Sequence, residues 1–322
     1  MNVITGAEAK GLYSALCSTE ATIPVFSQAW WLDAVAGGEW GVVLIEKGGS
    51  IQASLPYVIR RRLGLTLVTQ PALTQNLGPW LRPSSARYAK NLAREKDLIQ
   101  ALFSHLPKHS LYKQNWHHSR ANWLPLYWQD YEQKTNYTYR INDLSCMQSV
   151  WDEMQANVRT DIRKAEGLVS IRSDLPLEEF IKLNRQVFLR QGMDLPYTED
   201  LLYRVDAAAS HMNARRVFIA EDEQGRHHAG VYIIWDQESA YYLMGGGDPK
   251  LRNSGATSLC MWQAIQFAAS KVSCFDFEGS MIEPVERFFR AFGARQTPYF
   301  AISKANSKVA QVATILQKVR RR

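Results

Sequence analysis

The sequence predicts an α/β (α+β) chain built from two structurally similar units. Three observations carry this. The 322 residues suffice for two domains that each bury a core. The second half orders as helices, a three-strand meander, then strand, helix, strand, helix and strand. The first half follows a degraded version of that order without strong sequence repetition. A boundary is expected near Asp143, giving units over 1–143 and 144–322.

In the first half, residues 26–35 predict a helix that Gly37 and Gly38 end. Strands follow over 41–46 and 51–60, joined by Lys47-Gly48-Gly49-Ser50, whose glycines accept the positive φ of a hairpin turn. Arg60, Arg61 and Arg62 beside Gly64 read as a solvated turn. A strand over 65–69, a helix over 86–106 stopped by Pro107, and short strands over 111–116 and 137–141 complete the half. The second half predicts helices over 146–165, 178–190 and 198–212, then strands over 216–221, 230–235 and 240–244. A glycine-rich loop opens a helix over 256–271, and a phenylalanine-rich strand, a further helix and a terminal strand close the chain.

With 46% hydrophobic and 21% charged residues the chain reads as a soluble globular protein. No apolar run approaches the roughly 18 residues of a membrane span, and no transmembrane segment is expected. The N-terminus lacks the basic start and apolar block of a secretory signal, so a cytoplasmic location is expected. Cys17, Cys146, Cys260 and Cys274 are scattered without ligand spacing, which predicts buried thiols in a reducing compartment and no metal. A net charge of +7 favours anionic partners, among them coenzyme A, nucleotide sugars, tRNA and acidic membrane surfaces, without choosing between them.

The most informative segment is the strand over 240–244 with Gly245, Gly246, Gly247 and Gly255 after it. Free N–H groups at a helix start, with glycines admitting a ligand to the backbone, suit a phosphorylated cofactor. The segment lacks the Lys-Ser/Thr ending of a nucleoside-triphosphate loop, and Gly-Gly-Gly is not the spaced dinucleotide pattern. The alternative is a surface turn, for which Gly-Gly-Gly-Asp-Pro is suitable chemistry.

Arg252-x-x-Gly255-Ala256-Thr257 resembles the pyrophosphate motif of the GNAT acyltransferases, Gln/Arg-x-x-Gly-x-Gly/Ala, with Thr257 departing from it. Cys274-Phe-Asp-Phe-Glu-Gly-Ser280, Val285-Glu-Arg-Phe-Phe-Arg-Ala-Phe-Gly-Ala294 and Asn157-Val-Arg-Thr-Asp-Ile-Arg-Lys-Ala165 resemble segments of its FemAB-like branch. The resemblance implies two tandem GNAT-like domains, each a mixed, mostly antiparallel sheet flanked by helices. The first would be degenerate and the second would bind acyl-CoA. It implies that Arg252, Asn253, Ser254, Gly255, Ala256 and Thr257 hold the CoA pyrophosphate, and that backbone N–H groups over Met244, Gly245 and Gly246 meet the oxyanion.

Alternation in the strand from Cys274 puts Asp276 and Glu278 on one face, where carboxylates are costly unless paired or used. Amine attack on a thioester needs a base, and Glu278 is the first choice, with Asp276 behind it. The alternative is a structural pairing of Glu278 with Arg287, Arg290 or Arg295. The last helix lacks the tyrosine that many GNAT enzymes use as acid, which leaves Ser280 or water. Arg159, Arg163 and Lys164 either grip an anionic acceptor or form a solvated basic face. Trp116 and His117, with Gln114, His118, Tyr127 and Trp128, line an acceptor pocket or simply pack. Val309, Val312, Ile315, Leu316 and Val319 stripe a C-terminal helix that docks on its domain or touches an anionic membrane.

The expected activity is N-acyl transfer, of acetyl first, from acyl-CoA to a small-molecule or carrier-linked amine. The resemblance suggests an amino sugar of a cell-envelope polysaccharide. The alternatives are a Fem-type peptidyltransferase that uses aminoacyl-tRNA on a peptidoglycan precursor, and a binding protein without catalysis. No DNA partner is expected.

Overall fold

The computed structural model describes residues 1–190, 192–279 and 281–312. It divides into a unit over Tyr137–Thr297 and a unit over Met1–Asn136 with the chain from Pro298 onward.

The first unit opens with β1 (Asn2–Ile4) and α1 (Gly6–Thr19), followed by a 3-10 turn at Val25–Ser27 and α2 (Ala29–Ala36). The helix α1 was not expected; only Ala9 and Tyr13 are buried along it, too sparse an apolar period to read. Gly37 ends α2 in the left-handed conformation at φ 57°, as its sequence predicts. Next come β2 (Trp40–Lys47), β3 (Ser50–Arg62), β4 (Leu65–Thr69), β5 (Trp80–Leu81), α3 (Tyr88–Ser104), β6 (Leu111–Asn115), α4 (Leu124–Tyr127) and β7 (Glu132–Ile141).

The second unit takes up the last residues of β7, then α5 (Met147–Glu153), α6 (Ala156–Glu166), β8 (Ser170–Arg172), α7 (Leu177–Arg190) and α8 (Glu199–His211). Sequence periodicity predicts one helix over 146–165. Instead Met154 and Gln155 are extended, at ψ 146° and 147°, and the turn between α5 and α6 sends the Met154 side chain into the core. The meander follows as β9 (Arg215–Glu221), β10 (His227–Trp235) and β11 (Ser239–Gly247). After it come α9 (Ala256–Ala269), β12 (Cys274–Asp276), α10 (Glu283–Arg290) and β13 (Arg295–Ala305).

In the second unit β8, β9, β10 and β11 pair antiparallel in sequence order, β12 joins β11 in parallel, and β7 closes on β12 antiparallel. Phe275, Phe277, Phe289 and Phe292 pack with Met261 and Ile265 of α9 in one buried cluster. Each such side chain contributes about 1.5–3 kcal/mol. The first unit has antiparallel β1, β2 and β3, with β4 and β5 on β3 and β6 parallel to β4. The division differs from the expected boundary at both ends. Arg140 and Ile141 pair with Asp276 and Phe275, which brings residues from Tyr137 into the second unit. Ala301–Ala305 pair with Leu111–Asn115, and Ile302 is buried in the first unit's core.

Candidate active site

The site is set by a mismatch in strand length. β12 pairs with β11 only where Cys274–Asp276 face Ser239–Tyr241, while β11 continues to Gly247 against β10. From Tyr242 onward the β11 edge that faced β12 has no strand partner among the described residues. Tyr232 opposes Met244 and Ile233 opposes Tyr242, so Leu243 is an extra residue that bends β11 at this point. The result is an open backbone edge on which an extended ligand chain can form main-chain hydrogen bonds.

Gly245, Gly246 and Gly247 therefore lie in a strand, not in the expected loop. Packing requires one of them to be glycine: a Cβ on Gly246 would stand 2.4 Å from the Asn184 backbone nitrogen, whereas one on Gly245 would displace the Tyr242 hydroxyl, 2.2 Å away. Asn184, buried on α7, donates from Nδ2 to the Gly245 carbonyl at 2.7 Å. Tyr197 donates to Asn184 Oδ1 at 2.6 Å and lies 3.6 Å from Met244 Sδ. Burial pushes its phenol up to about 12, so it stays a donor. Neither residue carries a sequence motif, and only the fold brings them to β11.

The helix start after β11 keeps the expected features. Arg252–Ser254 form a 3-10 turn, Gly255 is left-handed at φ 80°, and α9 begins at Ala256. Ser254 Oγ accepts the Ala256 N–H at 3.3 Å, while the amides of Thr257 and Ser258 have no acceptor among the described residues. Arg252, Asn253 and Thr257 are exposed. Two free amides on a fourteen-residue helix form a fitting cradle for a phosphate. A Cβ on Gly255 would meet the Asp161 carbonyl of α6 at 2.2 Å, so this glycine also serves packing.

That contact joins two segments that the sequence treats as separate sites. Lys164, on α6, donates to the Asn253 carbonyl at 2.6 Å and brings an exposed ammonium to the helix start. Its neighbours act otherwise. Arg159 Nη1 donates to the carbonyls of Trp151, Asp152 and Met154 at 3.2, 3.0 and 2.7 Å, closing the C-terminus of α5. Arg163 lies 5.5 Å from the Trp151 ring centroid. Trp116 is fully buried in the first unit's core against Phe103, with Nε1 on the Tyr112 hydroxyl, and so packs away from solvent. His117 bonds Ser119, and its ring lies 4.0 Å from that of His118, tilted by 48°.

At the end of β12, Asp276 is 3% exposed. Its Oδ1 accepts from the Thr138 hydroxyl and from the Glu278 N–H at 2.8 Å, and its Oδ2 lies 3.4 Å from Arg140 Nε. Burial nonetheless pushes its carboxyl up to about 6. Glu278 has the left-handed φ of 59°, a conformation that costs a non-glycine residue of order 1–3 kcal/mol. Its Oε1 is buried with no hydrogen-bond partner among the described residues. Burial first, then the charges of Asp276 and Asp236, raise its carboxyl well above the usual range. The arginines that would pair it are engaged elsewhere, Arg287 with Glu283, Arg290 with Glu286 and Arg295 with Glu153. Ser280 lies outside the described residues, as do Ile315, Leu316 and Val319. Among the described residues no group of three His, Cys, Asp or Glu is placed to hold a metal, and no helix is long and apolar enough to cross a membrane.

The family described as "Acetyltransferase (GNAT) domain" matches residues 153–290. The second unit carries a GNAT domain. The chain resembles solved structures along nearly its whole length. FemX aligns with a TM-score of 0.66 at 10% identity, over 93% of this chain and 97% of that one. L-PGS from Bacillus licheniformis aligns at 0.55 and 12% identity, over 97% and 96%. A tandem GNAT protein from the clavulanic acid biosynthesis pathway aligns at 0.52 and 11% identity, over 95% and 98%. The chain thus shares the fold of these structures, a tandem GNAT protein among them, as a mixed α/β arrangement of largely antiparallel sheet and helices. No curated protein matches.

Proposed function

We propose that the GNAT domain transfers an acyl group from acyl-CoA to an amine, with Glu278 as base. The observation that carries this reading is Glu278, half-buried and held in a strained backbone where β12 leaves β11, with a buried Oε1 that has no hydrogen-bond partner among the described residues. The free amides of Thr257 and Ser258, with Lys164 at Asn253, bind the pyrophosphate. Acyl-CoA supplies the thioester. The β11 edge orients the chain that bears it, and N–H groups over Met244–Gly246 stabilise the oxyanion. Glu278 takes a proton from the ammonium so that the neutral nitrogen can attack. The new C–N bond replaces the C–S bond, and the thiol leaves.

A raised carboxyl pKa has a direct consequence for this role. Glu278 accepts a proton only once it has lost its own, so activity climbs with pH through a value above the ordinary carboxylate range. Thiol release from acetyl-CoA, measured with a panel of amines and amino sugars against pH, tests the assignment. Glu278→Gln is expected to lower turnover by about 10²–10⁴-fold and to abolish the rising limb; matching profiles would refute the base. Lys164 is assigned to the donor side, and the acceptor is proposed to be a small or carrier-linked amine. A Fem-type reaction from aminoacyl-tRNA uses the same base and the same proton transfer. The net charge of +7 is compatible with it, and titration with charged tRNA beside acetyl-CoA distinguishes the donors.

A further inference from the structure

The hairpin of β3 and β4 has a tip that the fold does not use. β2 pairs with β3 only as far as Val58. On the other side β6 pairs with β4 from Leu67, and Ser110 bonds the backbone of Thr66. Arg60–Leu65 therefore project as a two-stranded ribbon, and Arg62 lies about 13 Å beyond Val58 at ~3.3 Å per residue. Arg60, Arg61 and Arg62 are exposed, and among the described residues their side chains form no ion pair or hydrogen bond.

The apex departs from good turn chemistry. Leu63 and Gly64 both have positive φ, 49° and 73°, the backbone of a two-residue turn that favours Asn-Gly. Leucine is strained in that conformation and is 92% exposed. It therefore sacrifices both backbone energy and the benefit of burial among the described residues. An observed strain at an exposed tip points to a use for the residue.

We propose that this hairpin docks on an anionic lipid surface, with the arginines over headgroup phosphates and Leu63 in the boundary of the acyl region. An aliphatic apex gains free energy only in an apolar medium, whereas surfaces that grip single-stranded nucleic acid interleave their cations with aromatic rings. Residues 60–65 hold no aromatic side chain. The excess of +7 over the whole chain acts in the same direction. The inference rests on the first unit alone and is independent of the reaction assigned to the GNAT domain.

Co-sedimentation of the full chain with vesicles of phosphatidylcholine, with and without phosphatidylglycerol, tests it. Binding is expected only with the anionic lipid and is expected to weaken with salt. Replacing Arg60, Arg61 and Arg62 together by Gln should weaken it by about a hundredfold, at roughly fivefold per cation. Leu63→Asn should weaken it about fivefold while raising thermal stability, because Asn suits the positive φ. That second variant separates lost docking from lost folding. Failure of the wild type to bind anionic vesicles, equal binding to neutral ones, or unchanged binding by both variants would overturn the proposal. A triple variant that loses tRNA while vesicle binding stays unaffected would make the ribbon a nucleic-acid surface instead.

Discussion

The Asp276 carboxylate accepts the backbone N–H of Glu278 at 2.8 Å, so one acid fixes the conformation of the other. Thr138 and Arg140, both on β7, hold Asp276 in turn, and its charge raises the Glu278 carboxyl. A turn of this kind, in which an aspartate bonds the amide two residues on, stabilises the left-handed step that follows.

Asp276→Asn removes the charge but keeps a side-chain oxygen for the turn. The Glu278 carboxyl should then ionise more readily, and the rising limb of activity should move to lower pH. The profile of thiol release against pH measures this. An unmoved limb would mean that Asp276 does not act on Glu278 electrostatically.

The same pair makes stability depend on pH. Both carboxyls titrate higher in the folded protein than in the unfolded chain, so between those values the folded state holds protons that the unfolded chain has released. Stability accordingly falls as pH rises from about 4, where the unfolded acids ionise, through the Asp276 value of about 6 and beyond. Glu278→Gln should melt at least ~2 °C above wild type at pH 8, with the gap closing towards pH 4. Thermal melts across that range provide the check.

Arg159 is expected to act on folding and not on acceptor binding. Its three hydrogen bonds close the end of α5, and Arg159→Ala should cost about 1–3 kcal/mol of stability while acceptor KM and CoA affinity stay unchanged. Denaturant unfolding and steady-state kinetics together distinguish this from a role in recognition.

The elements of the GNAT domain were readable because their periods are strong. The short continuous apolar runs of β9, β10 and β11, bounded by turn residues, and the long apolar run of α9 leave little freedom. The candidate site was legible in part. Glu278 stood out as a carboxylate in an apolar strand, but its left-handed backbone could not be foreseen, since glutamate rarely adopts it. Gly245–Gly247 suggested a loop because local composition cannot report that α7 crosses the strand and leaves no room for a Cβ at Gly246. Asn184, Tyr197 and Arg140 converge on the site from sequence positions far apart, and nothing in their own segments marks them. Trp116 and Arg159 illustrate the opposite case: residue types common in binding sites that here fill a core and close a helix.

The central claim is an acyl-CoA site at the start of α9, and calorimetric titration of acetyl-CoA into wild type and Thr257→Glu tests it most directly. Thr257 is exposed in the first turn of the helix, where an added carboxylate favours the helix itself yet opposes a bound phosphate. Saturable binding by wild type is expected, with a loss of at least about tenfold, or ~1.4 kcal/mol, in a variant that melts no lower. Absence of binding by wild type, or equal affinity in the two proteins, would contradict it.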